Sequence, residues 1–353
     1  MKLHPALSAL LLPASWAFGV VVRCRVWLYR KGIFTPKRLN GVVISVGNLT
    51  VGGTGKTPFV LWLAEKLHAE GKRIGILARG YKGGVRADSV SIPQSARGQI
   101  LLDSLINDEV YLLGVRLGSK ARIGVGADRY SHGRALEKLG IEWFILDDGF
   151  QHLQLARDLD ILLIDSSDPF GSGRLLPAGR LREPKSAIAR ADIVVITRTT
   201  HAPALEAVVR RYSQAPIFYA QATLVDIQPF ERSRVPFGAG EWLGKKVFLF
   251  CGLGNPPAFF ADARNWGMEV VGQLVFPDHH YFTERDADEI ERRARAVGAE
   301  ALLCTEKDVF NLRDVAFQNL PLFVSRVSLE ITDADSFWQT AREVLGRKLE
   351  ASP

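Results

Sequence analysis

Lys56 and Thr57 close the run Ser45-Val46-Gly47-Asn48-Leu49-Thr50-Val51-Gly52-Gly53-Thr54-Gly55-Lys56-Thr57-Pro58. A β-branched stretch from Val42 to Val46 leads into it, and an apolar-periodic stretch from Phe59 to Leu67 follows. The order is strand, glycine-rich turn, helix. Pro58 suits a first helical turn, where its missing N–H would have no partner anyway. Such a turn aims backbone N–H groups inward at the positive end of a helix dipole, which is a cradle for polyphosphate. Thr50, Val51, Gly52, Gly53, Thr54, Gly55, Lys56 and Thr57 are the expected nucleotide contacts. Lys56 would serve the β/γ-phosphates and the Thr57 hydroxyl a Mg2+ ion. Thr50 occupies the first glycine position of the general G-x-x-x-x-G-K-[ST] pattern, so Gly52 and Gly53 must supply the turn. A glycine-rich turn that binds nothing is the plain alternative.

Other side chains could complete phosphoryl transfer. Asp147 and Asp148 end an apolar strand, where a phosphate-loop enzyme places the acid that holds Mg2+ directly or through water. Taken alone, Asp147-Asp148-Gly149 reads equally well as a turn. Glu183 is a weaker third acid and, by itself, a solvated loop residue. Transfer to a hydroxyl also needs a base that positions the acceptor. Asp108 is a candidate base, or else the cap of the helix that follows. Phe276-Pro277-Asp278-His279-His280-Tyr281-Phe282 is the densest histidine cluster. It has three readings: a metal half-site, an acid/base partner, or a turn closing a strand. Adjacent histidines on a turn rarely ligate one metal together, and no other ligand set accompanies them.

The elements that position these residues alternate in type. Strands are expected at Arg73–Ala78, Ala121–Val125, Ile141–Leu146, Asp160–Ile164 and Asp192–Ile196, with helices at Val110–Leu117 and Asp128–Leu139. This pattern predicts a doubly wound, mainly parallel α/β sheet, whose ligands sit at strand carboxyl ends. Gly47, Arg79, Asp147 and Asp165 all fall at such ends. Arg79 opens a flexible basic turn, and residues 87–105 are an excursion from the sheet. The composition changes near Ala222. A second, smaller α/β unit then begins with strand Lys245–Cys251, with further strands near Glu269 and Ala301 and a helix from Glu284 to Val297. The extended segments Ile217–Asp226 and Leu322–Glu330 could pair as a two-stranded connector, and Asp335–Leu345 would be a final helix. The expected domains are residues 1–40, 41–222 and 223–353.

A chain of 353 residues with 47% hydrophobic residues can bury a sizeable core. Its three cysteines, Cys24, Cys251 and Cys304, are scattered and odd in number, which argues against a disulfide scaffold or zinc site. The net charge of +7 is uneven, because the first acidic residue is Glu65. Pro5 to Val22 carries no charge, and Arg23, Arg25, Trp27, Tyr29, Arg30 and Lys31 follow directly. The run is short for a membrane span, and no signal-peptide cleavage pattern precedes the cations. Pro13 and Gly19 argue against a smooth core helix. The segment is expected to sit in or on an anionic leaflet, with its aromatics at headgroup depth. A hydrophobic helix packed on the domain is the alternative. Arginines that follow an uncharged apolar run do not suggest nucleic acid.

Together these motifs resemble the tetraacyldisaccharide 4′-kinase (lipid A 4′-kinase) family. The resemblance rests on the Ser45–Pro58 run, Arg79-Gly80-Tyr81, Asp108-Glu109 and Asp147-Asp148-Gly149-Phe150-Gln151-His152. It continues through Gly173-Arg174-Leu175-Leu176-Pro177-Ala178-Gly179, Leu181-Arg182-Glu183-Pro184, Phe276-Pro277-Asp278-His279-His280 and Thr305-Glu306-Lys307-Asp308. Thr50 is itself a mark of this family. The resemblance implies ATP-dependent phosphorylation of the 4′-hydroxyl of a tetraacylated glucosamine disaccharide 1-phosphate, giving lipid IVA. It also implies a peripheral enzyme on the cytoplasmic face of a Gram-negative inner membrane. By position, Lys56 and Thr57 handle phosphate and Mg2+, and Asp147, Asp148 and Glu183 surround the metal. Asp108 resembles the family's catalytic aspartate, assisted by His279, while Arg79, Gln151 and His152 fall with the substrate. The chain departs from the family at Asn107 and Val110, where Gly and Pro are usual. Ser172 and Arg180 stand in place of Asn and Pro, and Arg180 is an added candidate contact for phosphate or lipid. A membrane-bound ATPase switch of the partitioning type is the rival class, disfavoured by the second domain and the Asp108/His279 pair.

Overall fold

The computed structural model describes residues 10–80, 85–86, 100–101, 105–230, 242 and 244–350. The basic turn expected at Tyr81–Gly84 and most of the 87–105 excursion lie outside them. The chain divides into two compact units. One takes Met1–Ile106, Gly114–Gln221 and Leu329–Pro353, and the other takes Asn107–Leu113 with Ala222–Ser328. Sequence order alone does not separate them, because a seven-residue piece carrying Asp108 belongs with the later unit.

The first unit is built on strands β1 (Val42–Asn48), β2 (Ile74–Ala78), β3 (Val85–Arg86), β4 (Ile100–Leu101), β5 (Leu105–Ile106), β6 (Ala121–Val125), β7 (Trp143–Asp147), β8 (Leu159–Asp165), β9 (Ile193–Thr197) and β10 (Ile217–Pro229). Their order across the sheet is β10-β9-β8-β1-β7-β2-β6-β4, while β3 and β5 form a separate antiparallel pair. β1 lies centrally and pairs parallel with both β7 and β8. The further pairs β2–β7, β2–β6, β8–β9 and β9–β10 are parallel too. All seven residues of β8 are buried, as expected for a strand covered on both faces. Strand order on either side of β1 runs in opposite directions, so the carboxyl end of β1 marks a topological switch point where ligands collect.

The helices of the first unit include α1 (Leu12–Arg30), α2 (Lys56–Ala69), α4 (Arg129–Glu137) and α5 (Pro203–Arg210), while α3 (Asp108–Leu117) opens in the piece that belongs with the second unit. α2 buries Phe59, Val60, Leu63, Ala64 and Leu67. The final helix of the chain, Ala334–Glu350, sets Phe337 edge-on to Phe59, Trp62 and Phe218, with ring centroids 5.9, 5.4 and 5.2 Å apart. Such edge-to-face pairs contribute about 0.5–1.5 kcal/mol each beyond the area they bury.

α1 corrects one expectation. Pro13 and Gly19 do not interrupt it, and the helix is continuous for 19 residues. Pro13 lies in the first turn, where proline removes no hydrogen bond. Gly19 allows close packing, since a Cβ there would stand 2.7 Å from Leu175 Cδ1. One turn earlier, Ser15 Oγ donates to the Leu175 carbonyl at 2.8 Å. Ser15 and Gly19 are the buried residues of α1. Its outer face leaves Trp16 73% and Val21 65% exposed, with Trp27, Arg23, Arg25 and Arg30 also exposed. No helix among the described residues is long and apolar enough to cross a membrane.

The second unit carries β11 (Lys246–Cys251), β12 (Glu269–Val275), β13 (Ala301–Thr305) and β14 (Leu322–Ile331) in the order β12-β11-β13-β14, with parallel pairing throughout. Its helices are α6 (Pro256–Asn265), α7 (Glu284–Ala296) and the short α8 (Glu306–Val309). Phe250, Phe282, Phe317, Leu302 and Ile290 form its core. β10 and β14 carry the chain out of the first unit and back. Within the second unit Phe230 N–H donates to Leu322 C=O, and within the first Thr332 N–H donates to Tyr219 C=O. The final helix, α9, is the Ala334–Glu350 segment described above.

Candidate active site

In the first unit, β1 delivers its last residue, Asn48, to the base of the glycine-rich turn. Asn48 Nδ2 donates to Thr54 Oγ1 at 2.9 Å, and Lys56 Nζ donates to Asn48 Oδ1 at 3.3 Å. From β9, Thr197 Oγ1 donates to the Thr54 carbonyl at 3.1 Å. Gly52 and Gly55 have φ of 119° and 82°, conformations that cost glycine little and other residues much. Gly55 is the residue before α2, and Lys56 and Thr57 form the first turn of that helix, where N–H groups lack intrahelical partners. Thr50, which replaces the usual glycine, is buried and bridges antiparallel to Leu181.

That bridge explains how the loop keeps its shape. Arg182 N–H donates to Leu49 C=O at 2.7 Å and Val51 N–H to Arg180 C=O at 2.8 Å. Arg180 then turns its guanidinium onto the loop, donating to the Val51 carbonyl from Nε at 3.0 Å and from Nη2 at 2.6 Å. Its Nη1 holds Asp168 at 2.7 Å. Arg180, a candidate contact for phosphate or lipid, thus grips the loop backbone.

Asp147 and Asp148 stand at the carboxyl end of β7, beside β1 in register Val46–Asp147. Asp147 is buried. Asp148 adopts φ 52°, a left-handed conformation that aspartate tolerates better than most residues. Its Oδ2 accepts from Arg182 Nη1 at 2.6 Å, and its Oδ1 lies 3.5 Å from Lys56 Nζ. Burial would raise the Asp148 carboxyl, yet the charges of Lys56 and Arg182 and their hydrogen bonds hold it down at about 2. Glu183 is 3% exposed, and both of its oxygens accept from Arg190, at 2.6 and 2.9 Å. Gln151 Nε2 donates to the Asn48 carbonyl at 2.9 Å. Burial, then the charges of Arg129, Arg157 and Arg25, lower His152 to about 4, so it is neutral at pH 7. Arg79 is exposed just beyond β2.

The sequence reading passed over Asn48, Thr197, Arg182 and Arg190. Two of them had a signal, since Asn48 and Thr197 end strands, the rule already applied to Asp147. Arg182 had none beyond its place between Leu181 and Glu183, and Arg190 had none.

Thr57, Asp147 and Asp148 offer only oxygen donors, which suits Mg2+. Among the described residues no group of three or more His, Cys, Asp and Glu is arranged to hold a metal. An ion there would draw most of its ligands from nucleotide phosphates and water, as Mg2+ usually does. Glu183 is spoken for by Arg190.

The second unit brings Asp108 and His279 together across 171 residues of sequence. Asn107 Oδ1 accepts from Val110 N–H at 2.9 Å, so Asn107 caps α3 and Asp108 begins it. Asn107 thus takes the capping role that was the alternative reading of Asp108, while Asp108 Oδ1 accepts from Glu109 N–H at 3.0 Å. Asp108 is 4% exposed, and its Oδ2 lies 2.7 Å from His279 Nδ1. The hydrogen bond to Asp108 raises His279 to about 9 against the effect of burial, aided by the charges of Asp108, Asp278 and Glu109. At pH 7 its ring is therefore a cation, and Nδ1–H donates to Asp108. The histidine cluster divides in two. His280 stacks on Phe276 with centroids 4.8 Å apart and pairs with Asp286 at 3.1 Å, closing the turn before α7. His279 alone turns to Asp108, with φ 61°.

Residues 7–346 match the family described as tetraacyldisaccharide-1-P 4′-kinase. The chain belongs to that family. Among its relatives, the tetraacyldisaccharide 4′-kinase of Geobacter sulfurreducens is 38% identical over 331 residues, 92% of this chain and 90% of the relative. That of Geobacter metallireducens is 41% identical over 311 residues, 87% of this chain and 89% of the relative. Among solved structures, the "apo" form of LpxK from Aquifex aeolicus in complex with ATP shares 32% identity and a TM-score of 0.67. The match covers 96% of this chain and 99% of that one. The α/β fold with its mostly parallel sheet is thus the fold of this kinase family.

Proposed function

We propose that the chain transfers the γ-phosphoryl group of ATP to the 4′-hydroxyl of a tetraacylated glucosamine disaccharide 1-phosphate, giving lipid IVA and ADP. Family membership over residues 7–346 supports the kinase activity and its acceptor. The observation that carries the chemistry is the 2.7 Å contact between Asp108 and His279. A phosphate loop by itself accounts for nucleotide binding. An oriented carboxylate accounts for the proton that the acceptor must lose.

In this reading the 50–57 turn and Lys56 hold the ATP phosphates, as the positive end of α2 and its unpaired N–H groups favour. Thr57, Asp147 and Asp148 are the residues that would hold Mg2+, which would offset charge on the transferring phosphates. The acceptor oxygen attacks the γ-phosphorus, its bond to phosphorus forms, and the bond to the β-phosphate oxygen breaks to release ADP. The hydroxyl proton passes to Asp108. A histidine already protonated at pH 7 is a poor proton acceptor, so His279 serves to orient Asp108 and offset its charge. Arg182, drawn to Asp148 at 2.6 Å, is a cation able to shift to phosphate.

The lipid acceptor places the reaction at a bilayer, on the cytoplasmic side where ATP is found. Exposed Trp16, Val21 and Trp27 with Arg23, Arg25 and Arg30 support α1 as the contact with an anionic inner-membrane surface. The deciding experiment is transfer of 32P from γ-labelled ATP to the tetraacyldisaccharide 1-phosphate. ATP hydrolysis without labelled lipid would replace this reading by the ATPase switch.

A further inference from the structure

The Thr305-Glu306-Lys307-Asp308 motif has no part in the proton transfer proposed above, yet it ends in one of the most buried polar residues of the second unit. Asp308 is 1% exposed. Its Oδ2 accepts from Thr305 Oγ1 at 2.6 Å and Thr305 N–H at 3.1 Å, which fixes the turn between β13 and α8. Its Oδ1 reaches another segment, accepting from Gly252 N–H at 2.8 Å. The Gly252 carbonyl then accepts from His279 N–H at 3.1 Å. One residue is therefore gripped at both ends, its donor by Asp308 and its acceptor by His279. A Cβ there would crowd the turn, lying 3.0 Å from Pro277 O and 3.2 Å from His280 N, so the turn would have to give way.

The neighbouring residue reaches the other half of the pair. Lys307 Nζ donates to Glu109 Oε1 at 2.8 Å, and Glu109 follows Asp108 in the first turn of α3. Burial would lower the Lys307 ammonium, but the charges of Glu109 and Asp108 and the hydrogen bond raise it, so it remains a cation. Burial, in contrast, pushes Asp308 up to about 6, and nearby Asp108 adds to that rise.

We infer that Lys307 and Asp308 are positioning residues for phosphoryl transfer: Asp308 sets the His279 backbone through Gly252, and Lys307 sets the Asp108 turn through Glu109. Two consecutive side chains thereby fix the two partners of one hydrogen bond. A left-handed backbone is uncommon outside glycine, although histidine takes it more readily than most residues, and the Asp308–Gly252–His279 chain of hydrogen bonds ties His279 down in it. The inference rests on Asp108 and His279 being the proton-accepting pair.

The test uses full-length Asp308→Asn, Lys307→Met, Lys307→Arg and Gly252→Ala enzymes with lipid acceptor. It also follows His279 by NMR with 13C-labelled histidine, assigned by His279→Gln. Asp308→Asn should lower kcat roughly 100-fold, the scale of a small misplacement of a reacting group, with KM for ATP changed by less than about twofold. The His279 midpoint should fall from about 9 toward its ordinary 6.5 as its contact with Asp108 loosens. Gly252→Ala, which displaces the same turn without touching Asp308, should lower both in the same direction. Lys307→Met should lower kcat about 10-fold, and Lys307→Arg should recover most of it. If Asp308→Asn fails to fold, Gly252→Ala and Lys307→Met carry the test. A folded variant whose His279 midpoint stays at about 9 overturns the inference, whether or not its rate has fallen. Failure of the underlying reading looks different, because Asp108→Ala would then keep its rate on the lipid.

Discussion

The two clusters of charged groups answer to opposite demands. Around the phosphate loop, cations outnumber the carboxylate they share, and Asp148 is held near 2 by Lys56 and Arg182. Around Asp108, carboxylates crowd a histidine and lift it to about 9. The first cluster is assembled from strand ends of one parallel sheet, where backbone direction alone gathers Asn48, Asp147 and Thr197. The second is assembled from a helix start, a turn and a buried motif drawn from three distant parts of the chain. A site that receives polyanions needs surplus positive charge, whereas a site that accepts a proton needs surplus negative charge.

The largest expected effect separates the two directly. Asp108→Ala should lower kcat by about 10³–10⁴-fold with ATP binding nearly intact. Lys56→Ala should lower kcat by about 10²–10³-fold and weaken ATP as well. Steady-state kinetics with ATP varied at fixed lipid reads both. A rate for Asp108→Ala near that of the native enzyme would erase the contrast.

Next is stability. Glu183 has 4% of its side chain exposed and Arg190 bridges both of its oxygens, so Arg190→Ala leaves a buried charge without that cation. The expected cost is about 3–5 kcal/mol, read as a lower denaturant midpoint at pH 7. A loss of activity with an unchanged midpoint would give Glu183 back a role toward metal.

The pH dependence is smaller in amplitude but specific. His279 rises from 6.5 to about 9 on folding, so the contribution of its pair is complete below about 6.5 and lost as pH rises through about 9. Native activity and stability should both decline on that alkaline limb, and His279→Gln should remove it. Changing Trp16 and Trp27 to Ser should have the least effect on turnover, under about twofold with detergent-dispersed lipid, while reducing co-sedimentation with anionic vesicles. Undiminished sedimentation would remove α1 from the membrane reading.

Most of the first unit could be read from sequence because parallel strands advertise themselves. Val42–Val46, Ile74–Ala78 and Asp160–Ile164 are short apolar runs, each covered on both faces. α5 and α6, each with a proline in its first turn, Pro203 and Pro256, were not among the expected elements. Asp108 and His279 could be paired only through the family resemblance, since 171 residues separate them and no periodicity links a helix start to a turn. Arg180, Arg182 and Arg190 were harder still. Surface and buried arginines look alike in a sequence, and only the fold shows that one grips Val51, one meets Asp148 and one neutralises Glu183.

The grip on the 50–57 loop has a thermodynamic consequence. Arg180, Asn48, Thr197 and the Arg182 N–H hold that loop in shape before any nucleotide arrives. Ordering a residue's backbone costs about 1–2 kcal/mol of conformational entropy, and here that loss is incurred during folding rather than at binding. ATP then meets a rigid receptor. Loosening the loop at Arg180 would register first in the calorimeter, as a less favourable entropy of association, with every phosphate contact still made.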